Sequence, residues 1–152
     1  MPRLRMTFDA QQVTRYEALF ADPSPEAMYA LEPRAFEWFV AYVFFCAGYQ
    51  VEYVAEQRFP DGPGVDLNLY ANEAAQQIIA RVEARRYRPD HNLIDLRDIA
   101  AFMGMLQFAG GEPGYLITTS DFNGNARAAA GLENAGGMLR LVNGVDFVRY
   151  IT

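Results

Sequence analysis

Two acidic side chains and one arginine stand out, because their spacing places them together on a predicted sheet. Residues 64–87 contain two apolar segments separated by a polar turn, which predicts two neighbouring strands. Side chains on a strand alternate between its faces, so Asp66 points away from its apolar neighbours, and Glu83 shares a face with Arg85. If the strands pair, two carboxylates and a guanidinium meet. Such a group can hold a divalent metal ion and a phosphate.

The composition limits the class of protein. A chain of 152 residues, of which 51% are hydrophobic, predicts one domain with a substantial core. No apolar run approaches the roughly 20 residues that span a bilayer, and no signal-peptide pattern is visible, so we expect no membrane partner. The single cysteine, Cys46, excludes an internal disulfide and fits a cytoplasmic location. Its apolar helical surroundings predict a role in core packing.

The net charge of the chain is negative, and its cationic side chains are all of one type. The net charge is −6, so contact with nucleic acid would have to be local or assisted by a metal ion or a partner. All 13 cationic side chains are arginine. Arginine keeps its proton near neutral pH, and this excludes Schiff-base, general-base and phosphate-loop mechanisms that need lysine. The basic cluster formed by Arg81, Arg85, Arg86 and Arg88 can meet DNA phosphates or balance nearby acids.

Periodicity predicts alternating helices and strands. Helical spacing covers residues 9–21, 33–47, 93–109 and 125–136, and strand patterns cover 50–55, both halves of 64–87, 114–119 and 138–142. Residues 21–31 predict a short helix or turn, and 145–151 a helix or strand. Asp9 and Ser24 are expected helix caps, while Gly48 and Gly110 are expected helix stops. The order predicts an α/β sandwich with a central mixed β-sheet flanked by helices, antiparallel first and joined by crossovers later.

The same order of elements carries a series of short motifs. They are F-E in the first long helix, G-Y-x-V at the first strand, D-G-x-G-x-D ending at Asp66, I-T-T-S-x-F-x-x-x-A, and L-x-x-G-x-x-F near the end. Together they resemble the Mrr-like branch of the PD-(D/E)xK nucleases, which have the restriction-endonuclease-like fold. The resemblance covers residues 31–151. It divides the chain into a helical lead-in, residues 1–30, and a nuclease-like domain, residues 31–152.

This resemblance implies a function and a set of site residues. Asp66 matches the metal-binding aspartate, Glu83 the glutamine or glutamate of the second strand, Arg85 the lysine that follows it, and Glu37 the acid of the first helix. A site of this kind hydrolyses DNA phosphodiester bonds with Mg²⁺ or Mn²⁺ held by Asp66 and Glu83. DNA is then the expected partner. A homodimer is compatible with this function, because cutting both strands takes two sites.

The departure from the family pattern leaves an alternative open. Arg85 stands where the family has lysine, and it can bind a phosphate but cannot relay a proton. The alternative is a catalytically inactive nuclease-fold module for DNA binding or protein assembly. The residues also have plainer interpretations. Asp66 can stabilise a turn, Glu83 can pair with an arginine on an exposed sheet, and Glu37 can lie on a solvated helix face.

Overall fold

Among the described residues, five strands form one mixed sheet whose spatial order follows the chain, β1-β2-β3-β4-β5. The computed structural model describes residues 5–55, 64–91, 93–128 and 138–151. The strands are β1 Gln50–Tyr53, β2 Leu67–Tyr70, β3 Ile78–Arg85, β4 Gly114–Thr118 and β5 Leu139–Val142. The first three pair antiparallel, and β3, β4 and β5 pair parallel. The predicted fold class, with an antiparallel meander before the crossovers, is confirmed.

The helices cover both faces of the sheet. They are α1 Ala10–Ala21, α2 Pro25–Tyr29, α3 Pro33–Cys46, α4 Leu96–Ala109 and α5 Gly144–Ile151, with further helical residues at 124–128. The C-terminal segment is therefore a helix, the first of its two predicted alternatives. None of the described helices is both long and apolar enough to cross a membrane.

Local signals in the sequence set the helix ends. The carboxylate of Asp9 accepts from the backbone N–H of Gln12 at 2.8 Å, and the Gln12 side chain accepts from the Asp9 N–H at 2.9 Å, which forms a capping box. The Ser24 hydroxyl caps α2 by accepting from the Ala27 N–H. After α3, Gly48 takes the left-handed conformation with φ of 104°, which favours glycine. The caps and stops predicted at these positions are confirmed.

Two apolar clusters lie on opposite faces of the sheet. The larger packs α1, α2, α3 and α5 against one face, and its buried members include Phe36, Phe39, Leu67, Val82 and Phe147. The smaller packs α4 and the 124–128 segment against the other face through Phe102, Leu106, Leu116, Ala126 and Leu139. Each strand of the sheet centre therefore has both faces covered, so a polar side chain there must find its partners within the protein.

Four expectations from the sequence are not confirmed by the fold. The packing role predicted for Cys46 is wrong, because its side chain is exposed at the last residue of α3, while Phe44 in the same turn makes the contact with Tyr115 of the sheet. The turn expected at residues 58–64 and the later part of the predicted 125–136 helix lie outside the described residues. The division between residues 30 and 31 stays a prediction.

Gly114 should be indispensable for packing the smaller cluster. A Cβ atom there would lie 2.6 Å from Leu106 Cδ1 and 2.8 Å from Phe102 Cζ. We expect Gly114→Ala to lower the free energy of unfolding by about 1–3 kcal/mol in urea denaturation, because neither buried side chain can move freely. The control is Gly104→Ala, where an added Cβ meets nothing within 4 Å and the substitution should stabilise α4 by up to about 1 kcal/mol. Equal effects at both positions would contradict this account.

Candidate active site

Asp66 lies immediately before β2 and is bonded to the strands on both sides. Its carbonyl accepts from the Val54 N–H and its own N–H donates to the Val82 carbonyl, both at 2.8 Å. Its carboxylate Oδ2 accepts from the Ala84 N–H at 2.7 Å, and the residue is 0% exposed. Asp66 is thus held against the two residues that flank Glu83. The plainer interpretation, a turn-stabilising aspartate, does not account for this contact with a distant strand.

Glu83 and Arg85 form an ion pair on β3. The Cα partner of Glu83 is Leu116 on β4, on the face that α4 covers, and Glu83 is 0% exposed. Its Oε1 accepts from Arg85 Nε at 2.9 Å and lies 2.8 Å from Arg85 Nη2. The two side chains share a face because they are two residues apart on one strand. The pairing with an arginine is as the plainer interpretation expected, but the sheet face is buried rather than exposed.

Further partners fix the Arg85 guanidinium. Nη1 donates to the Tyr87 hydroxyl at 2.7 Å and lies 3.6 Å from Oδ1 of Asp98 at the start of α4. Burial disfavours the charge of Arg85, but the Glu83 carboxylate and the Tyr87 hydroxyl outweigh it and raise the pKa of Arg85 above its usual value. Arg85 therefore stays a cation and cannot act as a proton donor or acceptor.

Glu37 lies on α3, on the other side of the sheet's first strands. It is 8% exposed, and its Oε2 accepts from the Tyr53 hydroxyl at 2.6 Å. Burial is the main cause that raises the pKa of the Tyr53 hydroxyl, and its hydrogen bond to Glu37 raises that pKa further. Tyr53 is the Cα partner of Leu67, the residue after Asp66. The structure thus places the Asp66 carboxylate on the backbone N–H of Ala84, between Glu83 and Arg85 on β3. Glu37 is linked to the neighbouring strand β1 through Tyr53.

A buried polar row crosses the sheet beside these residues, and sequence reasoning missed one member of it. Glu52, Asn68 and Arg81 are successive Cα partners on β1, β2 and β3. Asn68 Nδ2 donates to Glu52 Oε1 at 2.8 Å, and Arg81 Nη1 donates to Asn68 Oδ1 at 3.0 Å. Arg81 also pairs with Glu112 at 3.3 Å. Alternation along β1 places Glu52 on the face opposite Val51, but it gives no sign that this face is buried, so the sequence offered no signal for Glu52.

The basic cluster is largely used within the protein. Arg81 and Arg85 have the partners given above, and Arg86 donates to the Tyr29 carbonyl at 2.8 Å while lying over the Tyr29 ring. Arg88 is exposed. Arg81 and Arg85 therefore balance acidic side chains, which is the second of the two predicted roles, whereas Arg86 contacts a backbone carbonyl and an aromatic ring instead.

The donor set around Asp66 suits a hard divalent cation. Mg²⁺ is commonly bound by one or two carboxylates, with waters and substrate phosphate completing its shell. Asp66 and Glu83 supply two carboxylates, both fully buried, and Asp66 accepts from the residue next to Glu83. In the part of the chain that the structure describes, no group of three or more His, Cys, Asp or Glu side chains is placed to hold a metal ion. The site fits a metal that shares its shell with substrate.

Comparison with known proteins identifies the family. The family model Mrr_cat, described as "Restriction endonuclease", matches residues 28–151, most of the chain. The chain belongs to this restriction endonuclease family. The resemblance inferred from the sequence motifs is confirmed. No curated protein matches the sequence.

Two solved restriction endonucleases share the fold. One is described as "DNA modification-dependent restriction endonuclease AspBHI", with a TM-score of 0.59 and 17% identity over 99% of this chain. The other is described as "MspJI Restriction Endonuclease in Complex with 27-mer Oligonucleotide", with a TM-score of 0.55 and 14% identity over 96% of this chain. This chain spans 39% and 32% of their respective lengths. The match covers the fold of one part of these larger enzymes.

The buried position of the Glu83–Arg85 pair predicts a large cost for neutralising Glu83. We expect Glu83→Gln to lower the free energy of unfolding by about 2 kcal/mol without metal, since Arg85 then stays charged and, of its described ion pairs, keeps that with the more exposed Asp98. Urea denaturation in the presence of a chelator measures this. The matched control is Glu112→Gln beside Arg81, where Glu112 is 28% exposed and the loss should stay below about 1 kcal/mol. A larger loss in the control would contradict the argument.

Proposed function

We propose that this chain is the nuclease domain of a metal-dependent DNA endonuclease. The observation that carries the proposal is the contact of the Asp66 carboxylate with the backbone beside Glu83, which puts two fully buried acids together in a chain of the restriction endonuclease family. Buried acids are costly to keep unless a partner or a function compensates. The MspJI structure was determined with an oligonucleotide, and DNA is the substrate we propose here.

Each residue has a distinct task in this proposal. Asp66 and Glu83 hold Mg²⁺ or Mn²⁺, which when bound polarises the scissile phosphate and lowers the pKa of an attacking water. Arg85 offers N–H groups to a phosphate oxygen and stabilises the charge that develops on it. Because Arg85 keeps its proton, the proton of the water must pass to another group or to solvent. Glu37, the acid on α3, assists the metal site.

Cleavage of both strands takes two such domains, so we propose that the protein acts as a homodimer on DNA.

A second candidate function is a nuclease fold that binds DNA or protein without cleaving. The observation that favours it is the contact of both Nε and Nη2 of Arg85 with Glu83, which occupies the cation that would face the phosphate. Such a protein would keep the acids of the site and the fold that holds them. The two candidates differ in whether wild-type protein hydrolyses DNA at all.

Cleavage should depend on Asp66. We expect wild-type protein to nick or linearise supercoiled plasmid with Mg²⁺ or Mn²⁺, and Asp66→Asn to reduce cleavage to background, because the amide is a poor metal ligand but still accepts from the Ala84 N–H. Mn²⁺ should raise the melting temperature of the wild type but not that of Asp66→Asn, with about 2.7 kcal/mol of stabilisation at 100 times its Kd. Asp146→Asn, on the exposed side of α5, is the control and should match the wild type. Cleavage that survives in Asp66→Asn would overturn the site assignment.

Arg85→Lys separates the two candidate functions. If the domain is an active nuclease, the wild type cuts plasmid, and Arg85→Met, which removes the cation, loses most of this activity. If the domain is an inactive module, the wild type does not cut, and Arg85→Lys produces metal-dependent cleavage because a lysine can lose its proton and a compact ammonium occupies less space. The assay is plasmid cleavage over a range of Mn²⁺ concentrations, with Arg88→Lys as the control for an exposed arginine of the same cluster. Cleavage by the wild type would rule out the inactive module.

A further inference from the structure

The guanidinium of Arg85 lies between two carboxylates of unequal burial. Glu83, whose side chain is 1% exposed, accepts from Nε and lies 2.8 Å from Nη2, whereas Asp98, 28% exposed, lies 3.6 Å from Nη1. The Tyr87 hydroxyl holds the same Nη1 at 2.7 Å. We propose that Asp98 and Tyr87 are positioning residues that keep Arg85 charge-compensated when Glu83 turns to a divalent metal ion. This inference rests on the metal site proposed above.

Arg85 and a metal ion compete for the same carboxylate. Glu83 Oε1 accepts from Arg85, and a cation bound to Glu83 weakens that contact. The Arg85 side chain is only 22% exposed and cannot lose its proton, so release from Glu83 leaves a partly buried charge that needs another partner. Among the described ion pairs of Arg85, the carboxylate other than Glu83 is that of Asp98. Metal binding at Glu83 is therefore coupled to the Asp98 side of the guanidinium.

The fold holds Asp98 and Tyr87 in place for this task. Asp98 Oδ2 accepts from the Asp95 N–H at 3.1 Å, and Asp95 Oδ1 accepts from the Asp98 N–H at 3.0 Å. This capping box uses one oxygen of Asp98 and leaves Oδ1 towards Arg85. The Tyr87 N–H donates to the Thr119 hydroxyl at 2.9 Å, which fixes Tyr87 beside the end of β4. Both side chains therefore already contact or face Nη1 of Arg85 in this conformation.

Mn²⁺ affinity, measured by calorimetric titration without DNA, tests the role of Asp98. Asp98→Gln keeps a residue type that completes a capping box but removes the charge, whereas Asp98→Glu keeps both. We expect Asp98→Gln to weaken Mn²⁺ binding roughly two- to fivefold, the range for a partly exposed ion pair, and Asp98→Glu to stay near the wild type. Tyr87→Phe, which keeps the ring and removes the hydroxyl, should weaken binding in the same direction. Unchanged affinity in Tyr87→Phe would contradict the role given to Tyr87.

Two controls separate positioning from general electrostatics. Asp95→Asn removes a negative charge at the same helix end and remains a good cap, so it should leave Mn²⁺ affinity unchanged. In an Arg85→Gln background, Asp98→Gln should no longer affect Mn²⁺ affinity, because the effect passes through the arginine. Equal weakening in Asp95→Asn, or equal weakening with and without Arg85, would overturn the proposal.

A wrong assignment of the metal site would give a different result from a wrong role for Asp98. If Mn²⁺ does not bind the wild type, or binds Asp66→Asn equally well, the proposed metal site is wrong and this inference falls with it. If binding depends on Asp66 but Asp98→Gln behaves like the wild type, the metal site stands and only the role of Asp98 is overturned.

Discussion

The ion pair between Glu83 and Arg85 constrains the structure around it, because both charges lie on the central strand of a sheet that is covered on both faces. β3 pairs with β2 on one side and β4 on the other, and Glu83 has no exposed surface. Charges in such a position are stable only when they are paired and hydrogen-bonded. The strand supplies the first pairing by its own alternation, and the neighbouring elements supply the rest.

Those neighbouring elements explain why the site lies where it does. Asp66 reaches the strand from the antiparallel side, through the backbone N–H of Ala84, whereas Asp98 reaches it from the crossover helix on the parallel side. The change from antiparallel to parallel pairing at β3 is what allows both approaches. A hairpin alone would bring only Asp66, and a βαβ unit alone would bring only Asp98.

The substitution of arginine for the family's lysine fits this arrangement. A guanidinium has five N–H groups spread over three nitrogen atoms, and it keeps its charge. It can therefore contact Glu83, Tyr87 and Asp98 through different nitrogen atoms, whereas the ammonium of lysine has a single nitrogen with three donors. The same permanence removes any role in proton transfer. The chain therefore combines a cation held by several partners with two buried acids. In the mechanism we propose, its activity depends on how readily Glu83 exchanges that cation for a metal ion.

Local pattern in the sequence determined the helices, their caps and stops, the order of strands, and the shared face of Glu83 and Arg85. These features depend on residues close together in the chain, such as Asp9 with Gln12 or the left-handed Gly48, and the physical preferences that set them act over a few residues. The order of elements also indicated an α/β sandwich, and strand alternation singled out Asp66. The family motifs added the restriction-endonuclease-like fold and the metal-binding role expected of Asp66, since a motif records a tertiary relationship that periodicity does not contain.

Only the tertiary structure decided which polar residues are buried and which distant groups they meet. Alternation predicts that two side chains share a face of a strand. Whether that face is covered depends on where the crossover helix packs. The sequence was therefore also compatible with Glu83 on an exposed face. The exposure of Cys46, the contact of Asp66 with Ala84 and the approach of Asp98 to Arg85 have the same cause. Each depends on how separate elements pack against one another. Packing is favourable when buried charges are paired and the interior is filled, and these conditions apply to all the elements together rather than to one segment.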